Sequence, residues 1–240
     1  MATKPNIAIV MPVHNALSYT KTAVTELCTQ IAECNLKKQI NFIVVDDGST
    51  DGTSEWISSS YPEVKTIKGN GNLWWSGSVN LGVKYALSEL KVDYIFLWNN
   101  DCTTTTNYLQ NLLDIVVKQN NNKIIIASKV YYLDKPNLIF NMGGTFDRRT
   151  GKATLIARNK IDSPEYEKKM EVDWTGGMGV LIYKDVFNRV GYFNEKDFPQ
   201  YYGDCDFFLR ARENGFSVIV YPELKVWNDR TYTAKDIGDG

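Results

Sequence analysis

The chain has 240 residues, enough for a sizeable core in one large domain or two small ones. Its 27 Lys and Arg balance 28 Asp and Glu, so there is no global basic field to draw in nucleic acid, and any anionic surface must be met locally. The apolar runs, such as IIIA from Ile124, are too short to span a bilayer and no basic-then-apolar start marks a signal peptide, which predicts a cytoplasmic protein with at most peripheral membrane contact.

The first half alternates β-branched runs with helical patterns. IAIVM from Ile7 reads as a strand, Ala23, Leu27 and Ile31 share one helical face, and INFIVV from Ile40 reads as the next strand. A helix is predicted from Thr53, a strand from Val64, a helix over Val79 to Leu90, a strand from Tyr94, a helix near Tyr108 to Val117 and a strand from Ile124. Such alternation implies a mostly parallel sheet covered on both faces. The second half changes character: a hairpin around Asp147 to Lys152, a turn at Gly176 and Gly177, a short helix from Lys184, and a helix over Asp204 to Asn214 ended by Gly215. No repeat, low-complexity block or linker interrupts the chain, which reads as one domain with two functional halves, 1–101 and 102–240. The closing DIGDG reads as a ragged end left by truncation.

The four cysteines, Cys28, Cys34, Cys102 and Cys205, make neither a CxxC pair nor a zinc spacing. Cys28 and Cys34 stand six apart in a helical pattern and point to different faces, so all four read as free thiols of a reducing compartment.

Four polar clusters fall at or just after predicted strand ends: PVHN (Pro12 to Asn15), DDGSTDGT (Asp46 to Thr53), GNGNLWWSG (Gly69 to Gly77) and NND (Asn99 to Asp101). Parallel neighbouring strands would bring all four to one sheet edge, where open α/β sheets bind ligands. Part of this is turn chemistry: Asp51 or Thr53 can cap the next helix, and Gly48 and Gly52 can shape the turn. Two adjacent carboxylates leaving a buried strand exceed what a turn requires. The glycines at 69 and 71 do not complete a dinucleotide fingerprint, because the third is missing and the stretch follows a late strand.

PVHN, VDDGSTDGT and NND, in this order and spacing, resemble the family-2 glycosyltransferases, and among them the rhamnosyltransferase-like members. Further matches below carry the resemblance over nearly the whole chain. It implies an inverting enzyme with the GT-A nucleotide-diphosphate-sugar fold: an α/β domain with a mostly parallel central sheet flanked by helices, and a small antiparallel region on the acceptor side. It implies a UDP- or dTDP-sugar donor and a glycan or lipid-linked glycan acceptor, in cell-surface polysaccharide synthesis, with no nucleic acid.

By the same resemblance Pro12, Val13, His14 and Asn15 lie beside the pyrimidine base, and Asp47 accepts a hydrogen bond from its N–H. His14, the only histidine, is then a ring packed against the nucleotide rather than a base. Asn72 and Asn80 shape the floor under diphosphate and donor sugar, Trp74 and Trp75 are offered for stacking or for core packing, and Asn99 and Asn100 orient ribose, diphosphate or metal-bound water. Asp101 matches the carboxylate that ligates Mg²⁺ or Mn²⁺; its alternative is to cap a helix from Thr103. In the second half Trp174, Gly176 and Gly177 face the acceptor sugar, and Asp204 of YYGDCDFFLRAR matches the general base, its alternative being a helix N-cap. Asp206 then supports the helix and can pair with Arg210 at i+4.

Three positions depart from the family pattern. Val79 stands where many relatives have Arg, Gly203 where many have Glu, and Asn228 where a metal-ligating His is common. These departures keep a second reading open, a catalytically decayed nucleotide-sugar or glycan binding module. A sugar-1-phosphate nucleotidylyltransferase is disfavoured, because no Gly-rich, Arg/Lys-containing loop follows the first strand.

Overall fold

The protein is seen in a computed structural model that describes residues 5–119 and 121–233. The chain runs β1 (Ile7–Val13), α1 (Leu17–Glu33), β2 (Ile40–Asp46), α2 (Thr53–Ser60), β3 (Lys65–Lys68), α3 (Trp74–Ser88) and β4 (Tyr94–Leu97). It continues through β5 (Cys102–Thr104), α4 (Tyr108–Gln119), β6 (Ile124–Tyr132), β7 (Ile139–Asn141), β8 (Gly144–Asp147), β9 (Lys152–Leu155), β10 (Met170–Val172) and β11 (Val180–Tyr183). It closes with α5 (Lys184–Val190), α6 (Gly203–Glu213), β12 (Ser217–Asn228) and α7 (Arg230–Thr233).

The continuous apolar run of β1 is explained by burial on both sides. Ile7, Ile9 and Met11 point into the core shared with α1 and α4, while Ala8 and Val10 point into the core shared with α3 and α6. A strand sandwiched in this way has no solvent face to mark with polar residues. The ten-stranded sheet follows the order β10-β12-β6-β11-β4-β1-β2-β3, with β5 on β12 and β7 on β6. β4, β1, β2 and β3 are parallel, as are β6 and β12, while β11 runs antiparallel between β4 and β6. The antiparallel part in the second half consists of β5, β7, β10 and β11 in the sheet, with the separate β8–β9 hairpin over the residues where a hairpin was expected. An α/β fold with a mostly parallel centre is thus what the sequence pattern implied.

Two expectations change. α3 begins at Trp74, five residues before Val79, and Val79 itself is buried in the core. Residues 102–104 are a strand paired with β12, not the start of a helix, so Asp101 has no helix there to cap. Cys28, Cys34, Cys102 and Cys205 are free. Among the described residues no helix is long and apolar enough to cross a membrane. The closing DIGDG lies outside the described residues.

Candidate active site

Because β1, β2, β3 and β4 are parallel, their C-terminal ends share one edge, and the loops that leave them enclose a cleft of about 460 Å³. Pro12, Val13, His14, Asp47, Trp74, Trp75, Asn99, Asn100 and Asp101 all line it, so nine of the residues singled out by sequence come together. The wall is completed by Gly71, Ser78 and Gln200.

Asp47 leaves β2 almost wholly buried, at 5% exposure. Its Oδ1 accepts the Gly71 N–H at 2.7 Å, and its Oδ2 accepts those of Leu73 and Trp74 at 2.8 and 3.1 Å. The carboxylate therefore gathers the β3–α3 loop and satisfies backbone donors at the start of α3, where a negative charge also complements the helix dipole. Such close approach needs bare backbone: a Cβ on Gly69 would overlap Asp47. The next two N–H groups of α3 are taken by the second half of the chain, Trp75 N–H by Gln200 Oε1 at 3.2 Å and Ser76 N–H by the Pro199 carbonyl at 2.8 Å. These partners, invisible to local sequence, are why α3 starts early. Asp46, by contrast, is spent within its own turn, on Ser49 N–H and the Ser54 hydroxyl.

His14 Nδ1 lies 2.6 Å from the Asp47 carbonyl, which only accepts, so Nδ1 carries the proton and Nε2 accepts from Asn15 Nδ2 at 3.0 Å. Asn15 is used as a tie: its Oδ1 accepts the Thr50 N–H at 2.7 Å and its N–H donates to Ser49 Oγ at 2.9 Å. It holds two loops in register and does not line the cleft.

NND is a tight turn between β4 and β5, closed by Cys102 N–H donating to the Asn99 carbonyl at 3.2 Å. Asn99 Oδ1 accepts Trp75 Nε1–H at 3.0 Å, and Asn100 Nδ2 donates to Thr20 Oγ1 of α1 at 3.1 Å. Asp101 is buried at the cleft wall, with Cys102 Sγ donating to its Oδ1 at 3.6 Å. Because β12 pairs with β5, Asn228 is brought to this point, and its Nδ2 donates to the Asp101 carbonyl at 3.5 Å. Asn228 thus stands beside Asp101.

Asp204 lies in the first turn of α6, whose N-cap position is Tyr202, so it is not the cap. Its carboxylate accepts the N–H groups of Cys205, at 2.8 Å, and of Gly177. Burial raises its pKa to about 6, the backbone donors of Cys205, Gly177 and Asp204 itself offsetting only part of that desolvation. Asp204 is outside the lining of the cleft but adjoins it, for Gly177 packs beneath Trp75, where a Cβ would overlap the indole. Asp206 pairs with Arg210 as expected, at 2.7 Å.

Besides Asn15, two residues expected at the donor, Asn80 and Asn72, do not line the cleft. Asn80 does not reach the cleft floor: at 2% exposure, its amide bonds the Phe193 N–H and carbonyl and Glu195, clamping α3 to the segment that leads into α6. Asn72 sits exposed on the loop, away from the cleft lining. Trp174, expected on the acceptor side, lies over Gly144 with its Nε1–H donated to the Thr145 carbonyl at 3.1 Å. Gly176 and Gly177, expected on the acceptor side, adjoin Asp204 and Trp75. Sequence reasoning passed over Ser78 and Gln200. Ser78 carried a signal, since it follows Trp74 by one helical turn; Gln200 carried none.

Residues 8–177 match the model of glycosyl transferase family 2, and the chain belongs to that family. It is 28% identical over 182 residues to the low-salt glycan biosynthesis hexosyltransferase Agl10 of Haloferax volcanii, covering 74% of this chain and 55% of that protein. It is 22% identical over 221 residues to the N-acetylglucosaminyl-diphospho-decaprenol L-rhamnosyltransferase of Mycobacterium tuberculosis, covering 82% and 69%. The crystal structure of GalNAc-T7 with UDP, GalNAc and Mn²⁺ superposes with a TM-score of 0.71 at 12% identity, over 95% of this chain and 44% of that one, a likeness of fold. The chain therefore spans about half the length of the first of these relatives.

Proposed function

We propose that the chain transfers a sugar from a UDP- or dTDP-linked donor to a hydroxyl of a glycan or lipid-linked glycan, with inversion, in cell-surface polysaccharide synthesis on the cytoplasmic side. Residues 1–101 hold the donor and 102–240 supply the acceptor side and the base, within one domain. The observation that carries this reading is the cleft at the parallel-strand edge with the raised-pKa carboxylate of Asp204 beside its rim. A general base works best with a pKa near the working pH, and about 6 meets that demand.

Asp47 Oδ1 has accepted one N–H and keeps a second acceptor direction for the pyrimidine N–H. Pro12, Val13 and His14 form the wall beside the base, with Asn15 holding that wall in place. Trp74 and Asn99 face the sugar and ribose. The diphosphate needs a cation: among the described residues the cleft lining includes Asp47 and Asp101 and no Lys or Arg, so the charged side chains an anion would otherwise meet there are carboxylates. Among the described residues no three His, Cys, Asp or Glu gather to hold a metal on their own. Asp101 fits Mg²⁺ or Mn²⁺ shared with phosphate oxygens and water. When bound, the cation offsets negative charge on the leaving diphosphate. Asn228, beside Asp101, is a weaker ligand than imidazole.

In the reaction the acceptor oxygen attacks the anomeric carbon from the face opposite the nucleotide. Its proton passes to Asp204, the new C–O bond forms as the bond to phosphate breaks, and the nucleoside diphosphate leaves with the electron pair. Asp204→Asn tests this: UDP affinity should persist while turnover falls by about 10² to 10⁴. Near-wild-type turnover would reject Asp204 as the base and move that role to Asp206.

A further inference from the structure

The stretch from Gln200 to Asp204 runs from the cleft wall to the proposed base in four steps, and the two residues next to Gln200 are tyrosines held out in solvent. Tyr201 is 54% and Tyr202 66% exposed, and across the mouth Trp74 is 58% exposed. These are three of the few large apolar side chains on the described surface that remain so open, and they cluster at one place. The two helix starts that carry them touch, because Ser76 N–H donates to the Pro199 carbonyl and a Cβ on Gly203 would overlap Ser76 Oγ.

Backbone strain singles out the same rings. Of the described non-glycine residues at positive φ, only two are aromatic, Trp74 at +54° and Tyr202 at +64°. A bulky residue does not adopt this conformation without cost, and such outliers persist where the surroundings enforce them. Here the surroundings do: the Ser76 hydroxyl donates to the Phe198 carbonyl at 2.6 Å, Gln200 holds Trp75 N–H, Asn80 clamps Phe193 and Glu195, and Asp206 N–H donates to the Tyr202 carbonyl at 2.9 Å. The tyrosines stand on an anchored support, not on a loose loop.

We propose that Tyr201 and Tyr202 are the acceptor platform, on which a neutral pyranose lays its C–H face while one of its hydroxyls reaches toward Asp204. This rests on Asp204 being the base of the transfer described above. Tyrosine suits the task because its ring offers an apolar face and its hydroxyl a polar tip. A lipid surface is the poorer occupant, since the adjoining exposed charges are Glu195, Lys196 and Asp197, a net negative set without the basic cluster that holds an aromatic belt to anionic headgroups.

The test pairs the wild type with the double variant Tyr201→Ser, Tyr202→Gly. Saturation-transfer NMR is run with methyl pyranosides of the gluco, N-acetylglucosamino and rhamno series, in the presence of UDP and Mn²⁺. The wild type should transfer saturation to the C–H face of at least one of them, and the double variant should bind that sugar about tenfold more weakly or worse. UDP affinity should be unchanged, and Tm should be level or raised, because glycine relieves the strained position. Equal saturation transfer in both proteins, or none from the wild type to any of the sugars, overturns the platform. Sedimentation of the wild type, but not the variant, with phosphatidylcholine–phosphatidylglycerol vesicles overturns it in favour of a membrane surface. Failure of UDP to bind the wild type strikes the donor-site reading instead, and is read separately from the sugar signal.

Discussion

Replacing Asp47 by Ala should cost stability as well as nucleotide binding, although it is a loop residue. Its two oxygens accept three backbone N–H groups, at 2.7, 2.8 and 3.1 Å, and it is 5% exposed. A buried donor left without a partner costs about 1 to 3 kcal/mol. The start of α3 borders an open cleft, so water can reach part of what the carboxylate abandons, and the lower end of that range applies. Three donors at about 1 kcal/mol each give about 3 kcal/mol, which for a chain of this size lowers Tm by about 6 to 12 °C. Asp47→Asn keeps one acceptor oxygen and should lose about half as much. Thermal melts followed by circular dichroism read both shifts, with UDP titrations on the folded variants beside them. An Ala variant melting within about 1 °C of the wild type would refute the argument that Asp47 organises α3.

Other outcomes follow from the same geometry. Because burial raises Asp204 to about 6, turnover at saturating substrate should climb as pH rises through about 6 and level off above it; a profile flat across that range would exclude Asp204 as the titrating base. UDP at a hundredfold excess over its Kd should stabilise the protein by about 2.7 kcal/mol with Mn²⁺ present, and EDTA should abolish the shift; a shift indifferent to EDTA would remove the shared cation. Glu26 of α1 accepts Thr104 N–H at 2.8 Å and is raised by burial to about 7. Its folded pKa exceeds the unfolded 4.5, so the stability it contributes is full below about 4.5 and lost as pH rises through about 7. Glu26→Gln should flatten the fall in Tm over that window, and an equal fall in both proteins would show that Glu26 does not drive it.

The central strands and the donor edge of the cleft were legible because each depends on contiguous sequence. An apolar run marks a strand buried on both faces, and the polar cluster that ends it must lie where the strand ends. That is how Asp47, Asn99 and Asp101 were found. The other wall is made by partners far apart: Ser76 meets Phe198 across 122 residues, Trp75 meets Gln200 across 125, and Asn80 meets Phe193 across 113. The segment that supplies these partners has no periodic pattern of its own between α5 and α6, so nothing local announces it.

Asn99 and Asn80 show what separates the two cases. Both are asparagines near the ends of a family-like motif, and residue type alone offers both to the ligand. Asn99 sits in a turn at the sheet edge, half in solvent, where water satisfies whatever the protein does not, so its amide can remain at the cleft. Asn80 sits on the buried side of α3, where every polar atom must find a protein partner, and it finds Phe193 and Glu195. Its amide is thereby consumed in holding the segment that leads to Tyr202 and Asp204. Burial decides between ligand contact and clamp, and burial at position 80 is set by a segment that the sequence does not mark.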